Sequence, residues 1–448
     1  MMHPIDQKVN VALGLGCWFL VFAVAPEARA ADWLQFRGPD GQGHAAVEAA
    51  PLRWSESEHV VWKVPVEGRG WSSPIVMGGR IWVTTAVETP ASEEELRQAT
   101  ERAIVPTNGL QLAGHVTLKA LAYDLATGRQ VDERTVFEVD DPPLVNPVNS
   151  YASPTPVAEP GRLYCDFGSM GTACLDTRSG RILWSRRLVV EHQVGPGSSP
   201  ILYRNLLILV RDGCDQQYMV ALDKTTGETV WKTLRPSLED RAPMYRKAFS
   251  TPLVVRTPGG TDQLVTLAAR WIISYDPATG DELWRVDTGK SFSNVSRPVY
   301  DDGRVYLCTA FGGTEMLAVR IDGRGDVTDT HVVWRRKQRT PRRSSPLIVG
   351  GRVFFVSDRG VASCADAVTG DVLWSERLEG AHSASPVYAA GRVYFFGENG
   401  TSTVVQAADA FLKLAENRLA GRIMASPAFV GRVLILRTDT HLYRIESE

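Results

Sequence analysis

The sequence predicts an all-β fold of eight similar units, and three observations support this prediction. The first is a residue pair ending in proline that recurs about every 45 residues beyond the first unit. The second is a short apolar run, a turn and an alternating apolar run after each proline. The third is a turn with aspartate, glycine and tryptophan at fixed spacing. Four short strands per unit at this period are typical of a β-propeller blade, so we expect one eight-bladed β-propeller.

The proline pairs mark the beginning of each unit. A serine or threonine stands before the proline in all units except one, in which arginine does. The unit heads predicted in this way are Pro74, Pro154, Pro200, Pro252, Pro298, Pro346, Pro386 and Pro427. The step from the first head to the second is much longer than the others, which predicts an insertion at residues 87–115 of the first blade.

Glycine turns separate the first two strands of each unit. Gly78-Gly79 and Gly350-Gly351 are two of these turns, and arginine with an alternating run of β-branched and aromatic residues follows each of them. Such runs beside glycine turns are typical of strands joined as hairpins.

The third and fourth strands flank the aspartate–glycine–tryptophan turn. In one example, Asp223 is followed by Gly227 and then by Trp231. The aspartate can cap the turn, and glycine supplies a positive φ at little steric cost. The large ring on the outermost strand can then pack between neighbouring units. We therefore predict structural roles for Trp62, Trp184, Trp231, Trp284, Trp334 and Trp374.

The last unit lacks its fourth strand. Residues 426–445 supply three strands and then the repeat stops, whereas Val60–Val64 near the N-terminus resembles a tryptophan strand without partners in its own unit. We expect this N-terminal strand to complete the last blade, because closure of the ring removes an exposed sheet edge.

The Asp-x-x-Thr-Gly-x-x-x-Trp repeat resembles the tryptophan-docking motif of the PQQ-like, or quinoprotein-type, β-propeller family. The repeat recurs across residues 120–375, and residues 33–39 and 425–443 resemble the ends of secreted bacterial members. The resemblance covers residues 31–448 and implies the propeller fold. One branch of the family, which includes BamB, is non-catalytic and binds a protein partner through loops on one face. The other contains dehydrogenases that hold pyrroloquinoline quinone and calcium on the propeller axis.

Two missing motifs favour the BamB-like branch. The sequence has no adjacent cysteines, which the resemblance associates with the quinone, and no C-x-x-C-H haem-attachment motif. The expected function is a non-catalytic scaffold that binds a protein or anionic partner, with no cofactor and no catalytic or metal-binding residues. A dehydrogenase dependent on pyrroloquinoline quinone and calcium is the alternative, and a glycan or small anion in the axial mouth is a third option.

The first thirty residues are predicted to be a cleaved signal peptide. Residues 9–25 form an uncharged, mostly apolar run after Lys8, and Ala28-Arg29-Ala30 matches a cleavage signature. A retained anchor is the alternative, although a membrane span needs about 20 apolar residues. Cys17 lies in a poor match to a lipobox. We therefore expect a periplasmic or secreted protein, monomeric and without a transmembrane span, in which residues 31–448 form the propeller.

The cysteine count argues against a disulfide framework. Removal of residues 1–30 leaves an odd number of cysteines, at positions 165, 174, 214, 308 and 364. We expect them to be free and buried, with a bridge between Cys165 and Cys174 as the alternative.

Long loops are concentrated on one face of the predicted propeller. Loops between second and third strands share a face with the loops between blades, and the elaborated ones are residues 87–115, 139–151, 235–249 and 334–344. A capping box at Ser92 predicts a helix in the first of them. Loops on a rigid scaffold commonly carry binding residues, so this face is the candidate binding face.

One of these loops is strongly basic. Residues 335–343 hold six cations in nine positions, whereas the whole chain has a net charge of -2. A solvated rim is the alternative interpretation, and the overall charge argues against nucleic acid as a partner. The candidate partner-binding residues are Tyr245, Arg246 and Lys247 in one loop and Arg339, Arg342 and Arg343 in the other.

Overall fold

Eight antiparallel sheets surround a central axis in the computed structural model, which describes Met1 and residues 32–446. This arrangement confirms the predicted all-β, eight-bladed propeller. Apart from Met1, the predicted signal peptide and the alternatives considered for it lie outside the described residues. No helix in the described part of the chain is both long and apolar enough to cross a bilayer.

Most strands are short, and one α-helix interrupts them within residues 32–446. Its bounds are α1 (Glu93–Arg102). The strands before and within the first three blades are β1 (His44–Ala45), β2 (Val60–Pro65), β3 (Ile75–Met77), β4 (Arg80–Pro90), β5 (Ala113–Asp124), β6 (Gln130–Val139), β7 (Val157–Glu159), β8 (Arg162–Asp166), β9 (Thr172–Asp176), β10 (Ile182–Arg186), β11 (Ile201–Tyr203), β12 (Leu206–Asp212), β13 (Gln217–Asp223) and β14 (Thr229–Leu234).

The later blades follow the same plan. Their strands are β15 (Leu253–Arg256), β16 (Asp262–Leu267), β17 (Trp271–Tyr275), β18 (Glu282–Asp287), β19 (Val299–Asp301), β20 (Arg304–Cys308), β21 (Met316–Arg320), β22 (Gly325–Asp326), β23 (Val332–Arg336), β24 (Leu347–Val349), β25 (Arg352–Val356), β26 (Val361–Asp366), β27 (Val372–Arg377), β28 (Val387–Ala389), β29 (Arg392–Phe396), β30 (Thr401–Gln406), β31 (Lys413–Arg418), β32 (Ala428–Val430), β33 (Val433–Arg437) and β34 (His441–Glu446). Two 3-10 turns cover Gly168–Met170 and Pro243–Tyr245.

Each blade uses consecutive strands from the axis outward. Blade one is β3–β6, blade two β7–β10, blade three β11–β14 and blade four β15–β18 with the short β22 at its outer edge. Blade five is β19, β20, β21 and β23, and blade six is β24–β27. Blade seven is β28–β31, and β1 pairs in parallel with β28 on its inner edge.

The N-terminal strand closes the ring. β2 pairs antiparallel with β34, with Val60 opposite Ile445 and Val64 opposite Leu442, so blade eight has the order β2-β34-β33-β32. The predicted closure is therefore confirmed. The apolar side chains of this junction join the largest core cluster, which also includes residues of blades one and seven.

Hydrogen bonds between the unit heads run around the axis. The Ser73 amide donates to Thr155 Oγ1 at 2.9 Å, the Thr155 amide to Ser199 Oγ at 2.9 Å, and the Ser199 amide to Thr251 Oγ1 at 2.9 Å. The pattern continues from Ser345 to Ser385 and from Ser385 to Ser426. We call these residues the hydroxyl ring. Each bond satisfies a buried amide at the point where one blade meets the next.

The structure corrects one predicted unit head. Blade two begins at Thr155-Pro156, because Thr155 occupies the ring position and β7 starts at Val157. The prediction placed this head at Pro154, two residues too early. Ser153-Pro154 and Thr155-Pro156 have the same pattern, and only the hydrogen bonds to neighbouring blades distinguish them.

Tryptophans of the outer strands pack on the turn of the next blade. Trp184 Nε1 donates to Lys224 O at 3.0 Å, and its ring covers Gly227 so closely that a Cβ there would lie 2.7 Å from it. The same bond to the next blade is made by Trp62, Trp231, Trp334 and Trp374. The structural importance of these rings remains a prediction.

Trp284 departs from this pattern. Its Nε1 donates to Gln263 Oε1 at 2.9 Å within blade four, and its side chain is fully buried. The turn of the next blade, which begins at Asp322, is expanded and sends β22 back to pair with β18. The ring therefore finds its partner inside its own blade.

Residues 32–54 cross the axis, and we call them the axial segment. Trp33 forms an isolated bridge with Val76 of blade one, and the Ala158 amide of blade two donates to Leu34 O at 2.9 Å. Arg37 Nη2 donates to Pro346 O of blade six at 2.8 Å. The repeat analysis did not predict this segment, which closes the channel between the blades.

The first blade carries the long hairpin β4–β5 and helix α1 between its strands. The Glu95 amide donates to Ser92 Oγ at 3.2 Å, and the Ser92 amide donates to Glu95 Oε2 at 2.7 Å, which is the predicted capping box. The helix has no buried residues. The five cysteines of the described chain are free and buried, which confirms that prediction and leaves the alternative Cys165–Cys174 bridge unformed.

Replacing Gly227 with alanine is expected to destabilise the protein strongly. The new Cβ would meet the Trp184 ring, and φ is +75°. Left-handed strain costs about 1–2 kcal/mol, and overpacking adds about 1–3 kcal/mol. Gly161→Ala is the matched control, since Gly161 has φ +87° but nothing within 4 Å of the added atom. Urea titrations should show a larger decrease in the free energy of unfolding for Gly227→Ala than for Gly161→Ala. Equal decreases would contradict the docking role of Trp184.

A chain that begins at Glu67 is expected to oligomerise. It lacks β2 and the axial segment, so the edge of β34 is unpaired and open to other chains. Light scattering after size exclusion should show oligomers, in contrast to a chain that begins at Asp32. A stable monomer with an unchanged melting temperature would rule out closure by β2.

Candidate functional site

The elaborated loops surround a cavity of about 570 Å³ on the propeller axis. We call the side of the propeller that carries these loops the loop face. Phe36 of the axial segment contributes to the lining, together with the seven hydroxyl-bearing residues of the unit heads. Pro106 of the insertion, Met244 and Arg343 contribute from three of the loops singled out in the sequence. The structure therefore brings these loops together around one cavity.

Lys247 lies in the wall of this cavity and is only 4% exposed. Its Nζ donates to Gln193 Oε1 at 2.6 Å and to Met244 O at 2.7 Å. No carboxylate lies within ion-pair distance of it in the described chain. Burial lowers the pKa of Lys247 because removal from water disfavours the ammonium. A partly desolvated cation in a cavity wall favours an anionic or carbonyl-bearing group nearby.

Gln193 holds three loops together at the cavity. Its side chain accepts from Lys247, and its Nε2 donates to Pro106 O of the insertion at 2.7 Å. Its φ is +62°, which is uncommon for a residue other than glycine and is often found at functional sites. Sequence reasoning missed this residue, because nothing in its local pattern indicates contacts with two distant loops.

Three aromatic rings connect the two basic loops. The centroids of Tyr245 and Phe292 lie 4.8 Å apart, and those of Phe292 and Phe311 lie 5.9 Å apart. Arg342 Cζ lies 5.2 Å from the Phe311 centroid, as in a cation–π contact. We call Tyr245, Phe292 and Phe311 the aromatic bridge. Tyr245 is 39% exposed and Phe311 is 43% exposed, so two of these rings face solvent.

The cations of the basic loop fall into two groups. Arg335 pairs with Glu315 at 2.7 Å, and Arg343 lies 3.0 Å from Glu398 and 3.4 Å from Asp358. The others have no ion pair in the described chain: Arg336, Lys337, Arg339 and Arg342. Burial and the neighbouring charge of Arg339 lower the pKa of Arg336.

The six candidate partner-binding residues occupy different environments. Arg246 donates to Arg241 O within its own loop at 2.8 Å, and Arg343 is paired with carboxylates, so these two brace the loops. Lys247 faces the cavity. Tyr245, Arg339 and Arg342 remain on the outer surface. The binding roles of all six residues stay predictions.

A second cavity, of about 600 Å³, lies beside the aromatic bridge. Its wall contains three cations, Arg241, Arg270 and Lys290, and one carboxylate, Asp240. Tyr245 and Phe292 supply aromatic faces. Arg270 is paired with Asp287 at 2.9 Å. Burial lowers the pKa of Arg241. Basic and aromatic groups thus continue along the loop face beyond the axial cavity.

Buried ion pairs stiffen the base of these loops. Arg211 Nη2 donates to Asp166 Oδ1 at 2.6 Å and joins blade three to blade two. Arg235 Nη2 donates to Asp212 Oδ2 at 2.9 Å, and its Nη1 donates to the Tyr275 hydroxyl of blade four at 3.1 Å. Removing one partner of such a pair leaves an uncompensated buried charge, so this end of the three blades resists deformation.

The axial cavity does not fit a calcium–quinone group. Calcium prefers carboxylate and carbonyl oxygens, but no aspartate or glutamate of the described chain lines the cavity. The described residues also contain no cluster of three or more His, Cys, Asp or Glu side chains able to hold a metal ion. The buried ammonium of Lys247 in the wall would repel a divalent cation.

The PQQ_2 family model, described as outer membrane protein assembly factor BamB, matches residues 82–233, 146–325 and 323–443. No curated protein matched the chain.

Solved structures with a similar fold include both branches of the resemblance. BamB from Moraxella catarrhalis has a TM-score of 0.56 at 11% identity, over 86% of this chain and 99% of that one. Quinohemoprotein alcohol dehydrogenase from Comamonas testosteroni has a TM-score of 0.61 at 11% identity, over 94% of this chain and 81% of that one. Quinohemoprotein alcohol dehydrogenase ADHIIG from Pseudomonas putida HK5 has a TM-score of 0.57 at 11% identity, over 93% and 80%. These likenesses show the fold alone.

Acid is expected to destabilise the protein through His192. This side chain is buried, and burial together with the charge of Arg211 lowers its pKa to about 3. The unfolded chain, with a pKa of about 6.5, binds more protons between these values, so stability falls as pH drops. Replacing His192 with leucine should reduce the acid-induced decrease in the free energy of unfolding by about 1.4 kcal/mol per pH unit between pH 6 and 4.

Urea titrations of the wild type and the leucine variant at pH 7, 6, 5 and 4 test this expectation. Parallel pH profiles for the two proteins would show that His192 does not titrate as its environment indicates.

Proposed function

The chain belongs to the PQQ_2 family of β-propellers, and on this premise we propose that it is a non-catalytic, BamB-like binding scaffold. Its partner is a protein or another anionic ligand that engages the loop face. The partner contacts the aromatic bridge and the unpaired cations beside it. We also propose that the protein is periplasmic or secreted, which rests on the signal-peptide pattern of residues 1–30.

The aromatic bridge is the observation that carries this proposal. It joins two basic loops from different parts of the chain and keeps Tyr245 and Phe311 open to solvent. Tyrosine and arginine are enriched among the residues that dominate binding energy at protein interfaces. A solvated rim needs no such ordered contact between rings and a guanidinium, because single exposed charges already interact well with water.

The pairing pattern of the basic loop supports an anionic partner. Arg335 and Arg343 are neutralised inside the protein, whereas Arg339 and Arg342 reach the surface without a carboxylate partner. Guanidinium groups match carboxylates and phosphates with paired hydrogen bonds. The paired arginines fix the loop, and the unpaired ones are available for binding.

The dehydrogenase alternative has weaker support. The likeness to quinohemoprotein alcohol dehydrogenases concerns the fold, and fold does not determine function. The cavity wall offers cations and neutral oxygens, which do not match the ligands that calcium prefers.

Replacing Arg339 with asparagine and Arg342 with glutamine together is expected to weaken binding of an acidic probe. Asparagine suits the left-handed φ of +60° at position 339, so folding should be unaffected. Fluorescein-labelled poly-L-glutamate is the probe, and anisotropy titrations at 50 and 300 mM salt are the measurement. We expect an affinity loss of about fivefold at low salt and a smaller loss at high salt, because screening shortens the reach of these charges.

Arg178→Gln with Arg181→Gln is the matched control, because both side chains are exposed on the turn between β9 and β10, on the opposite face. Equal losses of affinity for the two double variants would favour the alternative interpretation, in which the basic loop is a solvated rim without a binding role. Dye reduction with alcohols or sugars after addition of pyrroloquinoline quinone and calcium would contradict the non-catalytic function.

A further inference from the structure

A separate cavity of about 360 Å³ lies on the other side of the axial segment. Gln35, Pro39, Asp40 and Gln42 of that segment form one wall, and the inner strands of blades three, four and five form the other. This cavity lies toward the turns between first and second strands, whereas the larger axial cavity lies at the beginning of the first strands. It is therefore distinct from the loop-face site.

Two inner strands at this cavity have unpaired edges. The axial segment pairs with blade one through Trp33 and with blade seven through β1. By contrast, β11 and β15 have no strand on their inner side within the described chain. Their residues Leu202 and Val254 are only partly buried and line the cavity. An open strand edge with apolar side chains is a surface to which an extended peptide can add.

Arg297 brings a buried positive charge to the same cavity. It stands where the other unit heads have a hydroxyl-bearing residue, and it is only 2% exposed. Its guanidinium donates to the carbonyls of Phe36 and Pro252 at 2.5 and 3.2 Å and to Gln35 Oε1 at 3.4 Å. These acceptors are all neutral. Since a guanidinium has five N–H bonds, two of them have no acceptor among the described residues.

The surroundings do not neutralise this charge. Arg37 is also buried, and the nearest acid to the two arginines is Asp40. Asp40 already accepts from the Gln42 amide at 2.8 Å and lies 2.6 Å from His44 Nδ1. Burial lowers the pKa of Arg297 to about 10. Two guanidiniums facing one engaged carboxylate leave excess positive charge, which favours an anion in the cavity.

Close packing holds the Arg297 guanidinium at this position. Gly41 has φ +71°, and a Cβ there would lie 2.6 Å from Arg297 Nη2. The guanidinium thus packs on bare backbone of the axial segment. At the cavity rim, Arg256 adds a second charge, with a side chain that is 73% exposed and 3.8 Å from Asp262.

We propose that this cavity binds the C-terminal end of an extended peptide, with the terminal carboxylate at Arg297 and the backbone along the open edge of β11 or β15. Leu202 and Val254 would contact apolar side chains of the last residues. The proposal goes beyond the loop-face function, because it assigns a second binding site to the opposite side of the axial segment. The chemistry is a carboxylate joined to a short apolar body.

Calorimetric titration of the full chain with three probes tests the proposal. N-acetyl-Leu-Val carries the free carboxylate, its C-terminal amide lacks the charge, and 4-methylpentanoate carries the carboxylate without a peptide backbone. We expect the free dipeptide to bind at least tenfold more tightly than the amide and measurably more tightly than the simple acid. Equal binding of dipeptide and amide, or no binding at 10 mM, would overturn the site. Equal binding of dipeptide and simple acid would overturn its assignment to peptides.

Two variants locate the binding. Arg297→Gln should weaken binding of the free dipeptide at least tenfold. Because Arg297 also holds the axial segment, Arg256→Gln is the second variant, and its exposed position should preserve folding while weakening binding about threefold at low salt. Arg339→Asn on the loop face is the control and should leave binding unchanged. Wild-type affinity in both cavity variants would overturn the proposal, whatever the outcome of the loop-face experiments.

Discussion

The hydroxyl ring is the constraint on which the geometry of both faces depends. Six buried amides at the blade heads donate to a hydroxyl of the next blade, as Ser73 does to Thr155 and Ser345 does to Ser385. An unsatisfied amide at this depth would cost about 1–3 kcal/mol, so neighbouring blades are held in one register. The strands therefore begin at one height, and the loops before them meet around the axis. Arg297 takes part only as a donor: its amide donates to Ser345 Oγ at 2.9 Å, whereas its side chain has no hydroxyl and extends to the axial segment.

The axial segment divides the channel into two chemically different cavities. Phe36 faces the loop-face cavity, in which Lys247 is the buried cation, whereas Gln35 and Gln42 face the other, in which Arg297 is the buried cation. The nearly neutral overall composition hides this distribution. Each cavity combines apolar side chains with a buried cation that has no ion pair in the described chain, and this combination is the basis of the two binding proposals.

Local patterns predicted most of the fold, because a propeller repeats one short unit. Blade number and the position of Trp184 follow from spacing within a few tens of residues, and closure by β2 was predictable because an incomplete last unit and a strand without partners each show in their local pattern. Features that depend on distant contacts escaped prediction. Two identical motifs obscured the head of blade two, and the crossing of residues 32–54 has no periodic signal. The burial of Lys247 beside Gln193 requires loops from three parts of the chain.

Closure by β2 has a consequence for the order of events during synthesis. The segment that completes blade eight leaves the ribosome before blades one to seven, and its partner β34 leaves after them. Contacts at such sequence separation form slowly, because a long loop must be ordered before they are gained. Earlier blades can assemble while the ring stays open, so a nascent chain that lacks β34 leaves β2 without its partner strand. Unpaired strands of this kind are prone to aggregation, and this exposure ends when β34 is made.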